Sequence, residues 1–273
     1  MFLDPKGSPG LFSVAGGPPL NWRPTKILRG FEYLGGVTLL ARDTARVAVL
    51  TRWEWPDIIY QLDLLGVQSF IIVLITATFM GMVLAIQTAY ALQAFGAKLY
   101  VGGVVALSMA RELAPVLISL MVGGRVGAGI TAEIGSMKVT EQIDALRALG
   151  ANPVRKLVLP RLVAFVLALP ALVLLANLLG IFGGYVISSL TLQISGRFYL
   201  TQVFKMLKLV DIASGMGKTV FFAAFIVLIG CFNGMNAKGG ADGVGRATTD
   251  TVVLSSIVVL ISDFFLTKLF LAF

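Results

Sequence analysis

The 273-residue chain has no histidine and a single cysteine, Cys231. Zinc and other transition-metal sites draw on clustered imidazole and thiolate, so no such site is expected. One thiol also excludes an intramolecular disulfide and says nothing of redox compartment. Charge is scarce too. Only 13% of the residues are charged, against roughly 25% in soluble domains, while 57% are hydrophobic. Most of such a chain cannot face water, so spans rather than core volume set its organisation. The formal net charge of +8 does not form a nucleic-acid patch, and no nucleic acid is expected as a partner. The basic residues flank apolar runs, the placement that suits anionic headgroups and sets orientation. Residues 1–24 lack any continuous apolar run, are rich in Pro and Gly, and read as a disordered tail rather than a signal peptide.

What is present is an all-α pattern. Between 25 and 52 an amphipathic helix is expected, with Ile27, Phe31, Leu34 and Thr38 on one face. Lys26, Arg29, Arg42, Arg46 and Arg52 make it too charged to span. Such a helix lies in the headgroup plane; the alternative is a soluble helix packed on the protein's polar end. Gly35–Gly36 is expected to break or bend it. Trp53, Trp55 and Tyr60 supply an aromatic belt. Five transmembrane helices are expected at about 66–92, 101–130, 157–190, 220–237 and 252–273, near the ~20 residues that a span requires. Residues 25–273 thus read as one membrane domain. An inside amino terminus leaves fourteen basic residues on inner segments and six on outer ones, which fixes the orientation and puts the carboxyl terminus outside. The basic stretch 197–218 then reads as a short helix on the outer surface, with Lys218 on that face.

Two polar features interrupt the apolar pattern. Arg111 and Glu112 sit inside the second span, where each ionisable group costs about 2.5–3.5 kcal/mol on insertion scales and is functional by default. Being adjacent, they point about 100° apart and cannot both face lipid. Either they line a cavity holding water and headgroups, or they form interhelical ion pairs, for instance with Asp263 or Lys268. In the cavity reading, Arg111 grips a phosphate and Glu112 balances it or a headgroup amine. Asp263 is a further candidate, near the outer interface. Phe79, Met80 and Leu84 on the first span are placed to touch acyl chains, as any aliphatic stripe would be. The second feature is the polar stretch 133–150. There Thr140 is expected as N-cap, Glu141 and Asp144 in the first turn, Arg147 in the last, Gly150 past the end and Pro153 as the stop. Ile143, Leu146 and Leu149 would form an apolar ridge that rests on the membrane or enters a partner's groove. Small residues at 123, 124, 127, 128 and 129 permit close helix approach, or a hinge.

The words ELAP at 112–115, GRVG at 124–127, EIGSM at 133–137, VTEQIDAL at 139–146, Gly150, Asn152–Pro153, Pro160–Arg161 and GGADGVGRATT at 239–249 resemble the MlaE-type permeases. These are membrane subunits of ABC systems that move lipids between membranes. The resemblance covers about 25–273. It implies a non-catalytic homodimeric permease in a cell inner membrane, carrying phospholipid, with no cofactor of its own. ATP and Mg would be held by two copies of a separate ATPase. A ring of MCE-domain proteins would hold lipid above the dimer, and a STAS-domain protein often accompanies the ATPase. Glu133, Met137, Thr140, Glu141, Gln142, Asp144, Leu146 and Arg147 would belong to the segment that couples to the ATPase. Arg111 and Glu112 would lie on the wall of a lipid cavity between protomers. The 239–249 block would be the cytoplasmic loop before the last helix, with its glycine-rich part, 239–245, a tight turn that touches the ATPase or the neighbouring span.

Two other classes compete. An ion-coupled secondary transporter would show inverted repeats, which an odd number of spans does not readily provide. An intramembrane lipid-modifying enzyme would need an acid–base pair built from carboxylates alone. Ser214–Thr219, SGMGKT, imitates the end of a phosphate-binding loop, but that spacing puts Ile212 where a glycine is required, and no strand precedes it.

Overall fold

The computed structural model describes residues 26–51 and 53–272; the stretch 1–24 read as a tail lies outside the described residues. Those residues are helical with no strand. The helices are α1 (Lys26–Leu50), α2 (Trp55–Leu65), α3 (Phe70–Gln93), α4 (Val101–Ser108), α5 (Ala114–Val139), α6 (Gln142–Ala148), α7 (Leu159–Leu190), α8 (Gly196–Met206), α9 (Leu209–Met235) and α10 (Gly240–Ala272). Short π-helical turns at Met109–Leu113 and Val154–Val158 join α4 to α5 and lead into α7. Five helical rods are long and apolar enough to cross a membrane: Trp55–Gln93, Lys98–Val139, Val154–Leu190, Leu209–Met235 and Gly240–Phe270.

The rods outrun the expected spans because the apolar run marks only the part suited to lipid. Their polar extensions remain helical wherever a neighbour satisfies them. The clearest case is α9, which begins at Leu209 and not near 220. The Asp211 carboxylate accepts from the backbone N–H of Lys208 (2.8 Å) and caps the new first turn. The outer surface helix expected over 197–218 is therefore confined to α8, and Lys218 lies inside a spanning helix. Likewise Ala241–Thr249 is helical. The tight turn shrinks to Gly239 and Gly240, whose φ values of 91° and 67° suit glycine.

α1 also departs from expectation, since it runs unbroken through Gly35–Gly36. Gly36 admits the ring of Phe232, whose Cζ would stand 2.5 Å from a Cβ there. The inward side of the following turns is Val37, Leu40, Ala41 and Thr44. Phe31 and Leu34, two members of the apolar face of the helix expected in the headgroup plane, are exposed. The side chain of Ile27 lies outside the described residues.

Lipid tails are as apolar as leucine, so helices in a bilayer associate through close backbone approach and hydrogen bonds. Two contacts show this. α3 crosses α7 where Gly81 abuts the Gly180 backbone and Gly183 abuts the carbonyl of Thr78. α5 lies between α9 and α10; a Cβ at Gly123 would sit 2.5 Å from Ile226 Cδ1, and one at Gly127 3.2 Å from Thr251 Cγ2. A polar stitch fastens the same three helices. The Thr131 and Thr251 hydroxyls share a 2.8 Å hydrogen bond, Thr131 lies 3.0 Å from the Gly230 carbonyl, and Asn233 donates to Thr251 at 2.8 Å.

The backbone crossings give a direct test. Gly81→Leu is expected to destabilise the fold by about 1–3 kcal/mol or more through overpacking, read as a lower melting temperature in detergent. Gly245→Ala, where a Cβ meets nothing within 4 Å, is expected to leave stability unchanged or raise it by up to about 1 kcal/mol. Equal effects would refute glycine-mediated contact between α3 and α7.

Candidate functional site

Two places gather polar side chains: a charged cluster inside the bundle and the turn that joins α5 to α7. The cluster is built on the π turn Met109–Leu113. A π turn inserts one extra residue into the helical winding, and here it carries Arg111 and Glu112. The Arg111 guanidinium reaches Asp211 on α9, with Nε 2.8 Å and Nη2 2.6 Å from Oδ1. Glu112 accepts from Lys218 Nζ at 2.8 Å. That ammonium also meets Asp263 Oδ1 at 3.1 Å, Thr267 Oγ1 at 2.6 Å and the Arg111 carbonyl at 3.0 Å. Lys218 is 2% exposed, whereas Arg111 and Glu112 are 41% and 42% exposed on their side chains. A cavity of about 60 Å³ opens between them, lined also by Ser214, Thr267, Val210 and Phe270.

The ion-pair half of the earlier alternative is present, with different partners. The pair is ion-paired between helices, yet to Asp211 and Lys218; Lys268 is exposed. Asp263 belongs to the cluster and is mostly covered. Lys218 corrects the reading that placed it on the outer face. The missed signal was the spacing of Asp211 and Lys218. Seven residues are two helical turns, which puts opposite charges on one face of an otherwise apolar helix. The three apolar candidates of the first span do not share a surface. Phe79 points outward, while Met80 and Leu84 pack against the core.

At the other end, α5 closes on Thr140, whose hydroxyl donates to the Ser136 carbonyl (2.8 Å) and accepts from Gln142 Nε2 (3.0 Å). Thr140 is therefore a C-cap of α5 and not the N-cap of α6. Glu141 makes the reversal in the left-handed region, with φ 59°, a conformation that a residue with a Cβ enters at a cost of roughly 1–2 kcal/mol. α6 itself has seven residues, about 10 Å of rod. Gly150, with φ 76°, ends it as expected, and the Ala151 N–H returns to the Leu146 carbonyl at 3.0 Å.

The expected apolar ridge is divided. Ile143 is 1% exposed and anchors α6 in the core, Leu146 is half-covered, and Leu149 is 83% exposed. Lys138 Nζ holds Asp144 from below at 2.7 Å, and Arg147 adds a second contact at 3.2 Å. The Lys138 hydrogen bond, chiefly, keeps the Asp144 carboxyl below its ordinary value. Glu133 braces α5 to α7 through buried Arg161, with Nη2 at 2.7 Å, while Arg161 Nη1 donates to the Leu157 carbonyl at 2.6 Å. Met137 packs on the core. Glu141, Gln142, Arg147 and Leu149 remain facing outward. Chemically, the turn is a short exposed rod held rigidly on two spanning helices, and the cluster is a set of fixed charges beside a small cleft.

Comparison with known proteins finds the family described as Permease MlaE over residues 58–269. A probable ABC transporter permease protein of Rickettsia typhi is 45% identical over 212 residues, covering 78% of this chain and 82% of that one. The intermembrane phospholipid transport system permease protein MlaE of Haemophilus influenzae is 40% identical over 219 residues, covering 80% and 84%. The chloroplastic protein TRIGALACTOSYLDIACYLGLYCEROL 1 of Arabidopsis thaliana is 37% identical over 254 residues, covering 93% and 71%.

The charged cluster predicts strong coupling. Lys218→Met leaves Glu112 and Asp263 without their cation and is expected to destabilise by about 3–5 kcal/mol. Adding Glu112→Gln to that variant should recover part of the loss, giving a coupling of about 0.5–3 kcal/mol in a double-mutant cycle of detergent unfolding. Additive losses would mean that the two groups do not interact.

Proposed function

Since the chain belongs to the MlaE permease family and is the membrane-spanning, non-catalytic part of an ABC transporter, we propose that its cargo is phospholipid, moved between an inner and an outer membrane. Two copies of the chain would enclose the lipid path. The exposed side of α10 is a suitable surface for the second copy: only 11% of its apolar stretch is buried within the chain. The Arg111–Lys218 cluster would then face the path. Arg111 keeps donors for a phosphate beyond those given to Asp211, and exposed Glu112 offers an oxygen to a headgroup amine.

ATP and Mg would stay on the partner ATPase, which meets the outward residues of α6: Glu141, Gln142, Arg147 and Leu149. What carries this reading is the way α6 is mounted. A seven-residue helix would fray alone. Here it is fixed by buried Ile143, by the Lys138–Asp144 pair and by the Glu133–Arg161 brace. A handle so fixed moves its helices when it is moved. The excess of basic residues flanking that end supports an orientation in which it and the amino terminus would lie on the cytoplasmic side of a cell inner membrane and the carboxyl terminus on the periplasmic side. An MCE-domain ring would sit over the periplasmic face, and a STAS-domain protein would join the ATPase.

Leu149→Glu is expected to abolish co-purification of the ATPase and ATP-driven phospholipid transfer in proteoliposomes, with the permease still in the membrane fraction and its melting temperature unchanged. Ile143→Glu, by contrast, should lower the melting temperature by burying an unpaired charge. Undiminished ATPase recovery with Leu149→Glu would remove α6 from the coupling role.

A further inference from the structure

A second cationic position lies in α5, well separated from the charged cluster. Arg111 and Arg161 each have a carboxylate within 2.7 Å. Arg125, itself exposed, has only neutral partners among the described residues: Nη1 donates to Ser69 Oγ at 2.7 Å and Nη2 to Gln68 Oε1 at 3.3 Å. A guanidinium carries five N–H donors, so three stay available, and the charge is uncompensated. Beside Arg125 is a cavity of about 250 Å³ lined by Leu64, Leu65, Val126, Gly129, Ile130 and Glu133. At ~30 Å³ per water, that is room for a group about eight waters in size. Glu133, the acidic residue on its lining, is already engaged by Arg161.

Gly129 is an independent pointer. Gly123 and Gly127 are small because Ile226 and Thr251 lie against them, but a Cβ at Gly129 would meet nothing within 4 Å. Glycine inside a helix costs about 1 kcal/mol relative to alanine. No packing among the described residues accounts for it, and it lies, exposed, one turn from Arg125 on the cavity wall. The depth is informative as well. Ser69 and Gln68 immediately precede α3, whose 24 residues make ~36 Å of apolar helix, close to the ~30 Å hydrocarbon thickness. Arg125 therefore sits at the headgroup level on the α6 side. Arg111 is fourteen residues away, roughly 21 Å along the helix.

We propose that Arg125, Gly129 and the adjoining cavity form a phosphate-binding site for a diacyl phospholipid of the cytoplasmic leaflet, distinct from the Arg111–Lys218 cluster. The phosphodiester takes the free donors of Arg125 as a bidentate pair. The acyl chains run along the outward side of α3, where Phe70, Ile71 and Leu74 are exposed. The site rests on the phospholipid reading and its orientation, and it supplies what that reading lacks, a holding position for lipid on the ATPase side of the cluster.

The test is native mass spectrometry of the full permease in detergent, titrated separately with phosphatidylglycerol, diacylglycerol and inorganic phosphate. Wild type is expected to keep one more phosphatidylglycerol per chain than Arg125→Gln or Gly129→Leu, with apparent affinity lowered about tenfold or more in both. Arg125→Lys should retain part of the binding, and Arg111→Gln should leave this lipid in place. Diacylglycerol should not substitute, and millimolar phosphate should not displace the lipid. An unchanged lipid count in both variants, equal binding of diacylglycerol, displacement by free phosphate, or loss of the same lipid in Arg111→Gln would each overturn the site. The cargo reading fails separately, through absent phospholipid transfer by the wild-type permease reconstituted with its ATPase.

Discussion

An ammonium group 2% exposed inside a helical bundle is the constraint from which much of this structure follows. Lys218 is shielded from bulk water, and an isolated buried charge is prohibitively unfavourable. It must be met by anions, and these come from two other helices: Glu112 beyond α4 and Asp263 on α10. The rotational setting of α9 is thereby fixed against both neighbours. One consequence is that Asp211, two turns earlier on the same face, points at Arg111. A second is that α9 can begin at Leu209, since the polar face of its first turns has partners. The cluster contains two cations, Arg111 and Lys218, and three carboxylates, Glu112, Asp211 and Asp263, so each cation is shared or paired across helices.

Backbone proximity does the work that hydrophobic burial does in water. Gly81 against Gly180 and Gly123 against Ile226 bring helices close enough for dispersion contact over their length. Where the chain must also specify rotation, it adds a hydrogen bond, as at Thr131, Thr251 and Asn233. Polar groups thus select the arrangement and small residues permit it. Gly129, like Gly245, stands apart from this pattern, because a Cβ there would meet nothing within 4 Å.

The number and order of spans were legible in the sequence, because apolar runs of that length have few alternatives in either lipid or water. So was the stop of α6, since Gly150 with Pro153 leaves little other choice. The helix ends were not legible where tertiary partners overrule local composition. Lys218 reads as a surface charge until Glu112 and Asp263 are seen around it, and residues 241–249 read as loop by their glycines although they continue α10. Thr140 shows a finer limit. A threonine before an acidic first turn fits an N-cap, but it equally terminates the preceding helix by bonding to Ser136. Sequence spacing could not separate these, because the answer depends on where α5 stops. Similarly, Ile143, Leu146 and Leu149 fall on one ridge by periodicity, yet burial of the first is decided by contact with α5 and the core.

α5 is the element that connects these sites. It carries the α6 attachment at Thr140, the Glu133 brace, Arg125 near its middle and, across the π turn, Arg111 and Glu112. From Ala114 to Val139 it is 26 residues of unbroken helix, ~39 Å, and a helix of that length with packed neighbours on two sides transmits displacement rather than absorbing it. The places where it can yield are at the ends: the left-handed reversal at Glu141 and the π turn at Met109–Leu113. α7 repeats the arrangement, with its own π turn at Val154–Val158 just after α6. In the coupling role proposed for α6, a load on it would reach the two helices through the Lys138–Asp144 and Glu133–Arg161 pairs and fall on the π turns. One of those turns holds the Arg111–Glu112 pair, so deformation there would change the distances to Asp211 and Lys218. In that role, a mechanical input at α6 would become an electrostatic change at the Arg111–Lys218 cluster.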